Sequence, residues 1–88
     1  MIELGGNIKL SEFESLEPAQ LIVVKKVVGN YAKNISEKVE FSELLVCLKD
    51  KNVAVKLTTK DKTFEEEESG DNLFFTLDKA LAKVKNSI

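Results

Sequence analysis

The hydrophobic pattern of this chain changes period twice. From Leu21 to Ile35 the apolar residues Leu21, Val24, Val27, Val28, Tyr31 and Ile35 recur at helical spacing. Leu44, Val46 and Leu48 then alternate with other residues, as do Val53, Val55 and Leu57, and a shorter acidic stretch runs from Thr63 to Glu67 around Phe64. After Ser69-Gly70-Asp71-Asn72 the helical period returns, with Leu73, Leu77, Leu81, Val84 and Ile88 on one stripe and Phe74 and Ala80 at its edges. Helix, three strands and helix, each with a single apolar face, can bury those faces only by packing helices on a sheet.

The ends of the elements follow from local chemistry. Pro18 interrupts any helix begun at the capping-box pattern Ser11-Glu12-Phe13-Glu14, but it is harmless in a first turn. The first helix is therefore expected to start near Pro18. Lys49-Asp50-Lys51-Asn52 and Lys60-Asp61-Lys62 are short and polar, and both read as hairpin turns. Asp71 or Asn72 can cap the second helix. Upstream, Ile2, Leu4, Ile8 and Leu10 suggest a first strand, bulged at Gly5-Gly6, with a tight hairpin as the competing reading. The expected fold class is α+β: a β-α-β-β-β-α two-layer sandwich with a four-stranded sheet and two helices on one face.

At 88 residues the chain makes one domain, residues 1–88. A chain this short buries only about 60% of the surface its unfolded form exposes, which limits it to one modest core. No apolar run approaches the roughly 18 residues of a membrane span. Met1-Ile2-Glu3 lacks the start of a secretory signal, so a cytoplasmic location and no membrane partner are expected.

Chemistry is narrowed by what is missing. There is no histidine, which removes His-based acid–base catalysis and His-Cys zinc sites. Cys47 is the single cysteine, so no internal disulfide can form. Glu65-Glu66-Glu67-Glu68 sends alternate carboxylates to opposite faces of a strand, a poor geometry for a metal cage or an acid pair. Its repulsion can be relieved by Lys56, Lys60 and Lys62. Gly5-Gly6 lacks the spacing of a phosphate-binding loop. No catalytic set, metal or cofactor is expected, and the chain does not read as an enzyme.

The net charge of −2 gives no overall pull toward nucleic acid, and all 13 basic residues are lysine. Lysine neutralises phosphate as a point charge but lacks the planar fork of arginine. Any nucleic-acid contact should be to backbone, and salt-dependent. On the helical wheel Ile22, Lys26, Gly29 and Lys33 lie opposite the first helix's core stripe, with Lys25 at the border. Phe75, Lys79, Ala82 and Lys83 point outward on the second helix. Leu45, Cys47 and Ala54 have the opposite strand parity to the core residues and form a small apolar patch on the uncovered sheet face. That patch suggests a homodimer or a protein partner.

Several stretches, taken in order, resemble the hibernation-promoting factor family of ribosome-associated proteins, also called the sigma-54 modulation family. The second helix of that family opens Asp-Met-Tyr-x-Ala-Ile-Asp and continues to Lys-Leu. Here the matching stretch is Asn72-Leu73-Phe74-Phe75-Thr76-Leu77-Asp78, and Lys83-Val84 stands at the Lys-Leu position. Ile2-Glu3-Leu4-Gly5-Gly6-Asn7-Ile8 is similar to the family's first strand, and Tyr31-Ala32-Lys33-Asn34-Ile35 to the end of its first helix. The resemblance implies the β-α-β-β-β-α fold and binding to small-subunit rRNA in the cleft used by tRNA and mRNA, which suppresses translation. It implies phosphate contacts by helix lysines, for which the candidates are Lys25, Lys26, Lys33, Lys79 and Lys83. The rival reading is a non-enzymatic protein-interaction module using the open sheet face or Phe75.

Overall fold

A computed structural model describes residues 2–88. Its elements are β1 (Ile2–Glu3), β2 (Ile8–Ser11), α1 (Pro18–Ser36), β3 (Phe41–Lys49), β4 (Asn52–Thr59), β5 (Thr63–Ser69) and α2 (Leu73–Ser87). The five strands form one mixed sheet in the order β1-β2-β3-β4-β5.

The sheet has one strand more than the sequence led us to expect. Gly5 adopts φ +85, a left-handed conformation natural to glycine, and the chain reverses there instead of bulging. Leu4 N–H donates to the Ile8 carbonyl at 2.8 Å, and Ile2 pairs antiparallel with Leu10. What reads as one interrupted strand is a hairpin. β2 then pairs parallel with β3, Leu10 facing Val46, because α1 carries the chain back across the sheet between them. β3, β4 and β5 run antiparallel in sequence.

The β3–β4 turn is two residues long. Asp50 takes φ 55, which its short polar side chain tolerates. This sets Leu44 opposite Leu57, Val46 opposite Val55 and Leu48 opposite Val53. All six are buried, and they share one face. Val24, Val28, Ala32 and Ile35 of α1 and Leu77, Ala80, Leu81 and Val84 of α2 join them in a single cluster. Both helices therefore cover the same sheet face. Leu45, Cys47 and Ala54 lie on the other face and are only half-buried.

The helix faces are rotated slightly from their sequence stripes. Val27 and Tyr31 are half-buried while Ala32 is buried, and Ala80 lies inside the core instead of at its edge. Phe13, in the β2–α1 connection, is fully buried and plugs the core from a loop. α1 starts at Pro18, with Glu17 N–H donating to the Gln20 side chain at 3.2 Å. Asn72 caps α2 by accepting from Phe75 N–H at 3.1 Å. A Cβ at Gly70 would come within 2.8 Å of Thr76 Oγ1, so the approach of β5 to α2 depends on that glycine.

Candidate nucleic-acid interface

The charges are segregated by element. α1 carries Lys25, Lys26 and Lys33 and no acidic residue. α2 carries Lys79, Lys83 and Lys85 against Asp78 alone. β5 carries four glutamates and no lysine. A net-negative chain thus presents a positive helix layer beside a negative edge strand.

On α1, Val24, Val28, Ala32 and Ile35 hold the inner face. Helical spacing then directs Lys26 and Lys33, seven residues apart, outward, with Lys25 on the flank. All three are exposed. Gly29 lies among them with nothing within 4 Å of where a Cβ would be, so packing does not require a glycine there.

On α2 the lysines diverge. Asp78 and Lys85 face α1: Tyr31 donates its hydroxyl to Asp78 Oδ1 at 2.8 Å, and Lys85 Nζ lies 5.9 Å from the Tyr31 ring centre. Burial, and then the hydrogen bond to Asp78, push the Tyr31 phenol up to about 12. Lys83 turns the other way and forms an ion pair with Glu68 of β5. Hydrogen bonding to Lys83 holds the Glu68 carboxyl below its usual range, helped by the charge of Lys79. Hydrogen bonding to Glu68 in turn raises the Lys83 ammonium above its ordinary value. Lys79 Nζ sits 5.3 Å from the ring centre of Phe75.

The five candidate lysines therefore fall into two groups. Lys25, Lys26 and Lys33 are exposed on α1, and Lys79 and Lys83 share the β5-facing flank of α2. Lys83 already holds a counter-ion. Strand parity contained the signal for this pairing: Glu68 pairs with Val53 and Glu66 with Val55, so both carboxylates point to the helix-covered face. Lys85 was not among the candidates, because its ring contact depends on the lateral packing of the two helices.

The open sheet face balances its own charges. Lys9 pairs with Glu43 at 3.3 Å, and Lys56 stands opposite Glu65. Leu45, Cys47 and Ala54 line a shallow depression there with Lys56, Glu65 and Glu67. Among the described residues no group of three or more His, Cys, Asp or Glu is arranged to hold a metal ion. No described helix is long and apolar enough to cross a membrane.

No protein-family model matches the sequence, and no curated protein matches it. Solved structures do match the fold. The N-terminal domain of Protein Y from Thermus thermophilus aligns with a TM-score of 0.60 at 13% identity, covering 91% of this chain and 90% of that one. A ribosomal subunit interface protein from Coxiella burnetii aligns with a TM-score of 0.53 at 12% identity, covering 92% and 89%. The α+β fold implied by the sequence resemblance is thus found among solved structures of such proteins, over nearly the whole of each chain.

Proposed function

We propose that this protein is a ribosome-associated factor that acts in the cytoplasm by occupancy and not by catalysis. Its basic helix layer docks on rRNA phosphates of the small subunit, fills the decoding cleft and suppresses translation. The observation that carries this reading is the positive helix layer on this particular fold: one of the structural neighbours is a ribosomal subunit interface protein, and α1 of this chain has lysines and no acidic residue. Lys25, Lys26, Lys33 and Lys79 supply the phosphate contacts, joined by Lys83 where phosphate displaces Glu68.

Lysine contacts of this kind read backbone and shape and carry little sequence information. Four neutralised phosphates give a log–log salt slope of about −2.8 to −3.6, and five give about −3.5 to −4.5. With four contacts, affinity for small subunits falls roughly 50- to 150-fold between 50 and 200 mM salt. Co-sedimentation with small subunits from the protein's own source, at both salt concentrations, tests this. Absence of binding at the lower concentration overturns the reading.

A further inference from the structure

Gly29 lies well inside α1, where glycine weakens a helix. No neighbour demands it, since nothing stands within 4 Å of where its Cβ would be. That open space belongs to a groove of about 740 Å³ between the flank of α1 and the starts of β2 and β3. Gly29, Lys33 and Ser36 recur at helical spacing and form one wall. Ala32 is buried at the bottom, with Ile8 and Phe41 half-buried beside it. Asn7 and Glu40 are exposed on the sheet side.

Phe41 reaches this groove through an irregularity in β3. Strict alternation back from Leu44 would turn Ser42 inward and Phe41 to the open face. The β3–β4 register shifts between Phe41 and Glu43, and as a result Ser42 is exposed and Phe41 packs against the core. A helix glycine that packing does not need thus meets an aromatic that a strand bulge has re-aimed.

We infer that the groove beside Gly29 takes one unpaired nucleotide of small-subunit rRNA, its base against Ile8, Ala32 and Phe41 and its phosphate on Lys33. This rests on the ribosome-associated reading and adds a base contact to its phosphate contacts. The lining sets the chemistry. Lys33 is both a phosphate ligand of the helix layer and part of the groove wall, which brings the nucleotide it holds to the opening. Glu40 repels a second phosphate, but its carboxylate and the Asn7 amide suit the amino and ring N–H groups of a base edge. Among the described residues neither side chain has another hydrogen-bond or ion-pair partner. An unpaired base supplies the polar edge and the flat apolar face together. An aliphatic protein side chain would cover the floor and leave the Asn7 and Glu40 groups desolvated without partners.

The test compares the full chain with its Gly29→Leu variant on three probes: intact small subunits, a short single-stranded RNA, and an RNA duplex of the same length. Leucine suits a helix and has room here, so the melting temperature should stay or rise by about 4 °C. The expected result is a loss of about tenfold or more on subunits and on the single strand, with duplex affinity unchanged. Unchanged subunit affinity overturns the inference and leaves the ribosome reading standing. A loss on subunits alone gives the groove to a protein segment, and an equal loss on single strand and duplex gives it to the backbone; either overturns the inference. A lower melting temperature assigns Gly29 to packing and also overturns it. Failure of the wild-type chain to bind subunits overturns the ribosome reading itself, and this inference with it.

Discussion

The outer face of the helices and the open face of the sheet both meet solvent, but they are completed differently. On the sheet, Lys9 pairs with Glu43, Lys56 stands opposite Glu65 in the strand register, and the apolar Leu45, Cys47 and Ala54 are already half-covered by their neighbours. On the helices, Lys25, Lys26 and Lys33 have no acid on their own element, and Ile22 and Phe75 stand well out of the surface. A face whose charges cancel internally gains little from a polyanion. A face of one sign keeps its counter-ions loosely and can exchange them for phosphate, with their release driving the association. Net charge conceals this, because the negative sum belongs mainly to β5 and the loops.

The largest expected effect breaks that comparison directly. Lys25→Gln/Lys26→Gln/Lys33→Gln and Lys9→Gln/Lys49→Gln/Lys56→Gln remove the same charge from opposite faces. We expect the helix variant to lose about 100-fold in small-subunit affinity at low salt, or about 1 kcal/mol for each charge-assisted contact. The sheet variant should stay within about threefold. Equal losses in a binding titration would mean that only net charge matters and that the helix layer is not the docking face.

A smaller effect sharpens the comparison at its boundary, where β5 reaches the helix layer. Glu68→Gln releases Lys83 and should raise affinity for rRNA about threefold at low salt, an effect of the size expected for one partly exposed ion pair. Glu67→Gln removes the same charge on the open face and should change affinity less. The pair also has a predictable pH range. The Glu68 carboxyl is depressed in the folded state, so its contribution to stability is present above the ordinary glutamate range and is lost as pH falls through the folded-state value. Lys83 is raised, so its contribution holds below its ordinary value and is lost as pH rises past the folded-state one. With no histidine in the chain, binding should be flat between pH 6 and pH 8.

The sequence made the two helices, the last three strands and the lysine-bearing faces legible, because each rests on a period that local residues enforce. Val24, Val28 and Ile35 specify an inner face wherever the helix packs, and Val53, Val55 and Leu57 do the same for a strand. The first strand was harder to read. Gly5-Gly6 is compatible with both a bulge and a reversal, and the outcome depends on whether Leu10 aligns with Val46 across the sheet, a contact 36 residues away. Burial of Phe13 was equally hidden, since no period exists in a connection of irregular backbone. The Lys83–Glu68 pair lay between these cases. Parity placed Glu68 and spacing placed Lys83, but only the lie of α2 along β5 brings them together.

The smallest effect concerns the seam between the helices. Tyr31 is the only tyrosine and there is no tryptophan, so phenolate absorbance follows this one group. Burial is the larger cause of its raised value and the bond to Asp78 the smaller. The ultraviolet titration should have its midpoint near 12 in the native protein, against the ordinary tyrosine value near 10. Asp78→Asn removes the charge but not the burial, so the midpoint should fall only part of the way. Because the folded-state value is raised, the stability Tyr31 contributes is complete below its unfolded value and is lost as pH rises toward 12. A midpoint near 10 in the native chain would mean that the hydroxyl is solvated and free of Asp78. The two helices would then not be held side by side at that point, and the single docking layer on which the contrast with the sheet face depends would lose its seam.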